Sequence, residues 1–382
     1  MSSVNVTAGF GAVDNVSEVA EPVEPKLALG LEGLMERAGL TPPVADSGAH
    51  APDPVRLALG PEGHMERAGL ARPVVGPVAC TPDPARLALG LSGLMECVAQ
   101  ACPDAAASLV VDFAFGGKWL AARLGDGSCG RAFTFIGEHE VHGPLNMDAF
   151  ELLRELVGMP AMEAFSLVRD ANADVRKGLG RLADIVAVAL LNTVSSGHGS
   201  REALAARGFV FFDDPVSALV HPTDRVCVVG AGAYLAELEA CPAQVDVCDM
   251  RPAYDLMGLR VGVCGIEQHP SHIVFHDDPA QTASLLSQTD VVFLTGSMLV
   301  NGSFFELMPS CAHAREVVLF GPSACSLFKG LMELGVTCVS GSHVLQAEPF
   351  MDSVARRREG RPKPVEGASP LCESYVVTFP RS

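Results

Sequence analysis

The chain has 382 residues, of which 48% are apolar and 19% charged, and its formal net charge is −18 at pH 7. This length allows two domains with separate cores, whereas the negative charge argues against a nucleic-acid groove, which clustered Lys and Arg would have to line. The apolar stretches are too short to span a bilayer, and the first residues lack the basic start and apolar block of a signal peptide. We therefore expect a cytoplasmic protein that binds neither nucleic acid nor membrane.

The 12 cysteines are scattered along the chain and include no Cys-x-x-Cys pair. This pattern predicts neither a disulfide framework nor a structural zinc site. Several cysteines, such as Cys227 and Cys248, lie inside predicted strands. A reduced cysteine at such a position is expected to act as a small apolar residue.

Three similar segments recur with a period of 30 residues: KLALGLEGLMERAGL from Lys26, RLALGPEGHMERAGL from Arg56 and RLALGLSGLMECVAQ from Arg86. Each predicts one short glycine-containing helix between proline-rich linkers, a unit that buries too little surface to offset its ordering entropy. The third copy runs directly into the first predicted strands, so we interpret it as the first helix of a folded domain. We expect residues 1–84 to be largely flexible or loosely packed.

A small α+β domain is predicted next, over residues 85–215. Strand patterns occupy residues 108–115, 118–124 and 129–136, and Gly116-Gly117 predicts a tight hairpin between the first two. Helical periodicity follows over residues 148–157 and 173–194.

Regular alternation of strands and helices begins after this domain and predicts a doubly wound, Rossmann-like parallel sheet over residues 216–350. The predicted strands span residues 225–230, 245–249, 272–275, 291–295, 316–320 and 336–340. Residues 351–382 are predicted to be a flexible tail in which only ESYVVTF can form a strand.

The loops after these strands are expected to meet at the carboxyl edge of the sheet, where ligands bind at the point of strand-order reversal. The binding candidates in these loops are Gly230, Gly232, Asp249, Thr295, Gly296, Ser297, Asn301, Gly321 and Ser323. Glycine permits close backbone approach, and hydroxyl groups bind polar or anionic ligands. Gly230-x-Gly232 with Asp249 fits a nucleotide-type turn, but a tight structural turn is equally compatible, and Ser323 is also a plausible helix cap.

Candidates for catalysis and metal binding are fewer. Asp277, Asp278 and His343 follow predicted strands and could act as general acids or bases, while Cys325 beside a predicted helix start is a candidate nucleophile. His139 and His142 have a spacing compatible with metal ligation, although surface histidines would give the same pattern.

Two loop motifs resemble a known family. Thr295-Gly296-Ser297 continuing to Asn301-Gly302-Ser303, and then Gly321-Pro322-Ser323, match the pattern of the heavy-metal-chelation family, with Ser303 in place of its threonine. The preceding segment is similar to that family's partner domain, which has the fold of the enolase amino-terminal domain, through Lys118-Trp119 and Ala189–Asn192. The resemblance covers roughly residues 100–350 and implies a ligand between two lobes, with a metal or metal complex suggested by the family's name.

Three functions stay open from the sequence. The first is binding of an anionic or metal-complexed small metabolite in the cleft, with a metallophore-related or biosynthetic role. The second is an enzyme that uses S-adenosylmethionine or another adenosyl cofactor, held by Gly230, Gly232 and Asp249. The third is a non-catalytic scaffold that acts through the repeats. A homodimer is a further hypothesis, because two-lobed α/β proteins often dimerise.

Overall fold

The computed structural model describes residues 82–116, 118–136, 147–231, 234–251, 260–262, 265–267, 271–324, 328–358 and 370–379. These residues all belong to one unit, Pro73–Ser382. The expectation that residues 1–84 are flexible therefore falls almost entirely outside the described residues. No helix in the described ranges is both long and apolar enough to cross a membrane.

A small antiparallel sheet forms the first layer. Its order is β1–β2–β3, with β1 at Val110–Gly116, β2 at Trp119–Leu124 and β3 at Cys129–Phe133. Gly116 pairs with Trp119, so β1 and β2 form the tight hairpin predicted from the two glycines.

Helices cover one face of this sheet. They are α1 (Pro84–Ala101), α2 (Pro103–Ala107), a 3₁₀ helix (Met147–Leu156), α3 (Ala161–Arg169), α4 (Asp174–Leu179), α5 (Leu182–Ser195), a short 3₁₀ turn (Ser196–His198) and α6 (Arg201–Ala206). The helical segment predicted over residues 173–194 is divided because Gly180 takes a positive φ of 55° between α4 and α5. Every residue of α5 except Asp184 is buried, which matches its apolar composition on all sides.

An eight-stranded sheet forms the second layer, in the order β4–β13–β12–β11–β10–β5–β6–β9. Its strands are β4 (Val210–Phe212), β5 (Arg225–Val229), β6 (Gln244–Cys248), β9 (Ile273–His276), β10 (Val291–Thr295), β11 (Glu316–Phe320), β12 (Cys338–Val344) and β13 (Cys372–Thr378). The six strands from β12 to β9 are parallel. This confirms the predicted doubly wound, Rossmann-like sheet preceded by a small α+β unit.

Both faces of the eight-stranded sheet are buried. In β10, Val292 and Leu294 belong to one apolar cluster, whereas Val291 and Phe293 belong to the cluster on the opposite face. This explains why the strand is a continuous apolar run rather than an alternating one.

The elements between the strands of this sheet are short. They are α7 (Pro215–Leu219), α8 (Leu235–Glu239), a separate hairpin of β7 (Arg260–Gly262) and β8 (Gly265–Glu267), α9 (Pro279–Leu286), α10 (Met298–Asn301), α11 (Ser303–Leu307), a 3₁₀ turn (Met308–Cys311), α12 (Phe328–Glu333) and α13 (Ala347–Arg358).

The prediction of a flexible tail from residue 351 is wrong for the described part of that range. Helix α13 continues to Arg358, and β13 lies inside the sheet, antiparallel to both β12 and β4. The physical reason is that successive side chains of a strand point to opposite faces of the sheet. Val377 packs in one apolar cluster and Val376 in the other, so the strand that the ESYVVTF pattern allows is buried on both faces.

Candidate functional site

The strand order reverses between β5 and β10. From β5 the chain proceeds outward through β6 to β9, then returns to the other side of β5 with β10 and continues through β11 to β12. A crevice is expected at the carboxyl ends of the two strands at such a reversal. The structure has a cavity of about 610 Å³ at this position.

The cavity is lined from two directions. The loops of the parallel sheet supply one wall, and the three-stranded sheet supplies the other through Lys118, Trp119, Phe133 and Phe135. Of the predicted binding residues, those that line the cavity are Gly230, Asp249, Thr295, Ser297, Asn301, Gly321 and Ser323. Gly296 lies between two lining residues, and Gly232 lies outside the described residues.

Gly230 and Gly296 allow the loops to approach each other closely. Gly230 has a φ of 88°, and a Cβ atom there would lie 2.4 Å from Cγ2 of Thr295. A Cβ atom on Gly296 would lie 2.3 Å from the backbone nitrogen of Ala324. Their N–H groups donate to the carbonyls of Cys248 and Phe320, respectively. Both glycines therefore serve the packing of the cavity edge, as the structural-turn alternative requires.

Asp249 is held by a neighbouring arginine. Its Oδ2 accepts hydrogen bonds from Ala231 N at 2.7 Å and Arg251 Nη2 at 2.7 Å, and its Oδ1 accepts from Arg251 N and Nε at 2.9 and 3.0 Å. Burial opposes ionisation, but the hydrogen bonds and charge of Arg251 outweigh it and lower the pKa of the Asp249 carboxyl. Both oxygens are thus already engaged, whereas a ribose-binding role would need them to accept from a ligand.

Polar side chains at the end of β10 bond mainly to one another. Thr295 Oγ1 lies 3.2 Å from Ser297 Oγ, and Asn301 Oδ1 accepts from Ser303 N at 3.1 Å and Ser303 Oγ at 2.8 Å. Because its oxygen is used in this way, Asn301 offers the cavity its amide nitrogen, a hydrogen-bond donor.

Ser323 joins the two walls. Its buried hydroxyl oxygen accepts a hydrogen bond from Phe133 N at 2.9 Å, and its carbonyl accepts one from Asn192 Nδ2 at 3.2 Å. Asn192 Nδ2 also donates to Arg131 O at 2.7 Å. Ser323 was predicted as a helix cap or ligand contact, whereas here its hydroxyl connects the parallel sheet to β3.

The aromatic wall was not identified as a site from the sequence. Trp119 and Phe133 meet edge to face with ring centroids 5.5 Å apart, and Phe133 meets Phe135 in the same way at 5.1 Å. Lys118 Nζ lies 6.0 Å from the Phe133 ring. A sequence signal did exist, because Trp119 is the only tryptophan in the chain and follows a hairpin turn.

Charges on the cavity wall are of both signs. Arg251 neutralises Asp249 through the hydrogen bonds already described. Lys118 and Glu306 also line the cavity, are exposed, and have no oppositely charged partner in the described ranges. The wall therefore offers a ligand one cation and one carboxylate.

One thiol in the cavity lining contacts a second thiol that lies deeper. Cys227 Sγ and Cys248 Sγ are 3.8 Å apart, and both residues are almost fully buried, although Cys248 contributes to the cavity lining. The hydrogen bond to Cys248, together with burial, raises the pKa of Cys227, while the same bond lowers the pKa of Cys248 despite its burial.

The remaining candidates lie elsewhere. Asp278 caps α9 through Ala280 N at 3.0 Å, and neither it nor Asp277 lines the cavity. His343 borders a separate polar cavity of about 20 Å³, and burial lowers its pKa. Cys325, His139 and His142 lie outside the described residues. Within the described ranges, no three His, Cys, Asp or Glu side chains come together as a metal cluster.

Solved structures share this fold. A crystal structure of a protein with unknown function from the DUF364 family of Desulfitobacterium hafniense DCB-2 matches with a TM-score of 0.53 and 17% identity, over 76% of this chain and 98% of that one. A second, from the DUF364 family of Pyrococcus horikoshii, matches with a TM-score of 0.50 and 18% identity, over 75% of this chain and all of that one.

Sequence comparison gives the family. No curated protein matches the chain. Residues 214–361 match DUF364 and residues 96–195 match DUF4213, and both carry the description "Putative heavy-metal chelation". The two matched segments contain the parallel-sheet loops and the aromatic wall, respectively. The chain therefore belongs to this heavy-metal-chelation family, as its loop motifs predict.

Proposed function

We propose that the cavity binds a small metabolite that is anionic or carries a metal ion. The observation that supports this best is the composition of its two walls. An aromatic surface with one lysine faces a rim of hydroxyl groups, an amide and one carboxylate. Pockets with apolar walls and a few convergent polar groups are typical of small-molecule sites.

The size of the cavity favours a metal complex over a bare ion. A volume of about 610 Å³ falls within the range of organic-ligand pockets and far exceeds the space that one ion needs. A chelate of an anionic metabolite would match Lys118 through its carboxylates and Glu306 through its metal or its hydroxyl groups. This is consistent with the description of the family.

An enzyme that uses an adenosyl cofactor is the alternative. The position at the strand-order reversal favours it, because nucleotide-type cofactors bind there in doubly wound folds. The arrangement of Asp249 works against it, because Arg251 would first have to release the carboxylate. A scaffold role through the repeats depends on residues that lie outside the described ranges.

Trp119 permits a direct test, since it is the only tryptophan and lines the cavity. We would record its fluorescence during titration with zinc citrate, with citrate alone and with S-adenosylmethionine, after native mass spectrometry of the freshly purified protein. Saturable quenching by zinc citrate supports the proposal. A response to S-adenosylmethionine alone supports the enzyme alternative, and no response to any probe, with no retained mass, contradicts the proposal.

A Trp119→Phe variant would lack the fluorescent probe. The matched control therefore keeps Trp119 and changes a residue on the rim of the cavity. Ser297→Ala replaces a half-buried hydroxymethyl group at the cavity edge by a methyl group and adds no bulk. If the metabolite binds at this rim, its affinity falls while the unbound emission spectrum stays the same. An unchanged affinity would place the ligand elsewhere.

A further inference from the structure

The strand order of the parallel sheet brings the thiols of Cys227 and Cys248 together. They lie on adjacent parallel strands, where Cys227 is opposite Asp246 and Cys248 is opposite Val229. The two cysteines are therefore offset by two residues, which puts their side chains on the same face of the sheet. Both belong to the apolar cluster on that face.

One thiol of this pair is reached from the ligand cavity. Cys248 ends β6 and lines the cavity beside Asp249 and Thr282, whereas Cys227 lies one step deeper and is fully buried. A ligand atom that touches the cavity floor therefore meets Cys248 first, with the Cys227 sulfur 3.8 Å behind it.

The separation of the two sulfurs matches a metal site. Two thiolates bound to one tetrahedral zinc-like ion at about 2.3 Å lie about 3.8 Å apart. The observed distance is 3.8 Å. Ordinary packing of two sulfur atoms gives a similar distance, so the spacing gains its meaning from the position of Cys248 in the lining of a ligand cavity.

We propose that Cys227 and Cys248 are the two protein ligands of a soft divalent metal ion, of the zinc or cadmium class, which enters as part of the bound complex. This rests on the proposed function of the cavity and adds its metal-binding atoms. Thiolate sulfur is the donor that such ions prefer. Cys248 faces the cavity, and from that side the metabolite or water supplies the remaining donors.

The binding step is balanced by proton release. Each thiol loses one proton to solvent, the two sulfurs donate their electron pairs to the ion, and the dipositive charge is neutralised by two thiolates. No oxidant or reductant is needed. The buried site gains no net charge, which makes the exchange compatible with its apolar surroundings.

Cadmium is the probe, because thiolate–cadmium bonds have an ultraviolet charge-transfer absorption. The reduced full-length chain would be titrated with Cd²⁺, and bound ions would be counted by native mass spectrometry. We expect Cys227→Ala and Cys248→Ala each to weaken the tightest cadmium site at least about 100-fold. Cys338→Ala is the matched control, since Cys338 is a fully buried strand thiol in the cluster on the opposite face of the sheet.

Equal cadmium affinity in the wild type and both pair variants would overturn the proposal, as would an equal loss in a folded Cys338→Ala variant. If the pair variants do not fold, the wild type alone decides: bound Cd²⁺ should protect Cys248 from alkylation, mapped by mass spectrometry, and unprotected Cys248 refutes the proposal. The Trp119 titration with zinc citrate is independent, so a metal site without a metabolite response would refute the proposed function alone.

Discussion

The two walls of the cavity are built on different physical principles. The three-stranded sheet contributes large aromatic rings, whose contact with each other fixes their positions. The carboxyl edge of the parallel sheet contributes small residues, whose hydrogen bonds are largely internal to the edge. The difference indicates that one wall supplies contact surface and the other supplies shape.

The internal bonding of the sheet edge is extensive. Gly230 and Gly296 donate to neighbouring strands, and Asp249 is saturated by Arg251 and Ala231. We expect these hydrogen bonds to order the edge before a ligand arrives, which limits the entropy lost on binding. Substitutions of residues that hold the edge together should therefore lower stability, whereas substitutions of exposed groups that face the ligand should lower affinity.

The largest effect is expected at Gly296. A Cβ atom would lie 2.3 Å from the backbone nitrogen of Ala324, and backbone cannot move aside as a flexible side chain can. Gly296→Ala should lower the free energy of unfolding by about 3 kcal/mol. Urea denaturation followed by circular dichroism measures this.

Gly302→Ala is the control for that substitution. Gly302 has a φ of 84°, but no atom lies within 4 Å of the position that a Cβ atom would take there. It should therefore show only the cost of a left-handed backbone, about 1 kcal/mol. Equal losses for the two variants would mean that the close approach at Gly296 is not a determinant of stability.

The next largest effect is expected where the two walls join. Ser323→Ala removes the acceptor of the Phe133 N–H, which lies in a part-buried environment. An unsatisfied buried donor should lower the free energy of unfolding by about 2 kcal/mol. Because Phe133 borders Trp119, the tryptophan emission of the folded variant should also shift.

Ser297→Ala is its counterpart on the rim. The Ser297 hydroxyl lies 3.2 Å from Thr295 Oγ1 and is half-exposed, so its loss should change stability by only about 0.5 kcal/mol. A Ser323 variant as stable as the Ser297 variant would show that the hydrogen bond between the walls contributes nothing measurable.

One wall of the cavity can be predicted from the sequence and the other cannot. The edge could be predicted because Val291–Thr295 is apolar on both faces and is followed by Gly296 and Ser297, which places these small residues at a carboxyl edge. The strand-order reversal at β5 and β10 then gives their common location. Family motifs in the same loops lead to the same residues.

The aromatic wall could not be predicted in this way. Phe133 lines the cavity beside Ser323, 190 residues later, which accepts its N–H. The insertion of β13 between β4 and β12, and the pairing of Cys227 with Cys248, likewise depend on strand register between distant segments. Local periodicity contains no information about such contacts, and the proline- and arginine-rich residues before β13 favour the interpretation of a tail.

A smaller stability effect is expected at the opposite end of the sheet, away from both walls. Asp224 precedes β5 and accepts from Arg315 Nη2 at 2.7 Å and Nη1 at 3.1 Å. Burial opposes its ionisation, but the hydrogen bonds of Arg315 and of the His221 backbone, with the charge of Arg315, lower its pKa. Asp224→Asn should lower the free energy of unfolding by about 1 kcal/mol at pH 7.

The pH dependence of that effect has a definite sign. Because the pKa is lower in the folded state, the stabilisation is complete above the unfolded value of about 4 and is lost as pH falls through the folded value. The difference between wild type and Asp224→Asn should therefore shrink on acidification below pH of about 4. A difference that grows on acidification would contradict this, and the Trp119 response to ligand should be the same in both proteins.

The smallest effect on folding, and the clearest on binding, is expected at Lys118. This exposed residue contributes a cation to the aromatic wall and has no carboxylate partner among the described residues. Lys118→Gln should change the free energy of unfolding by less than about 0.5 kcal/mol. Its affinity for zinc citrate, read from Trp119 fluorescence, should fall about tenfold at low salt and less at high salt, because added ions screen an exposed charge.

Lys329→Gln removes an exposed lysine of α12 that does not line the cavity, and it should leave the affinity unchanged. If the two lysine variants bind zinc citrate equally well, the aromatic wall selects its ligand by contact surface alone. The charge of Lys118 then makes no contribution to binding.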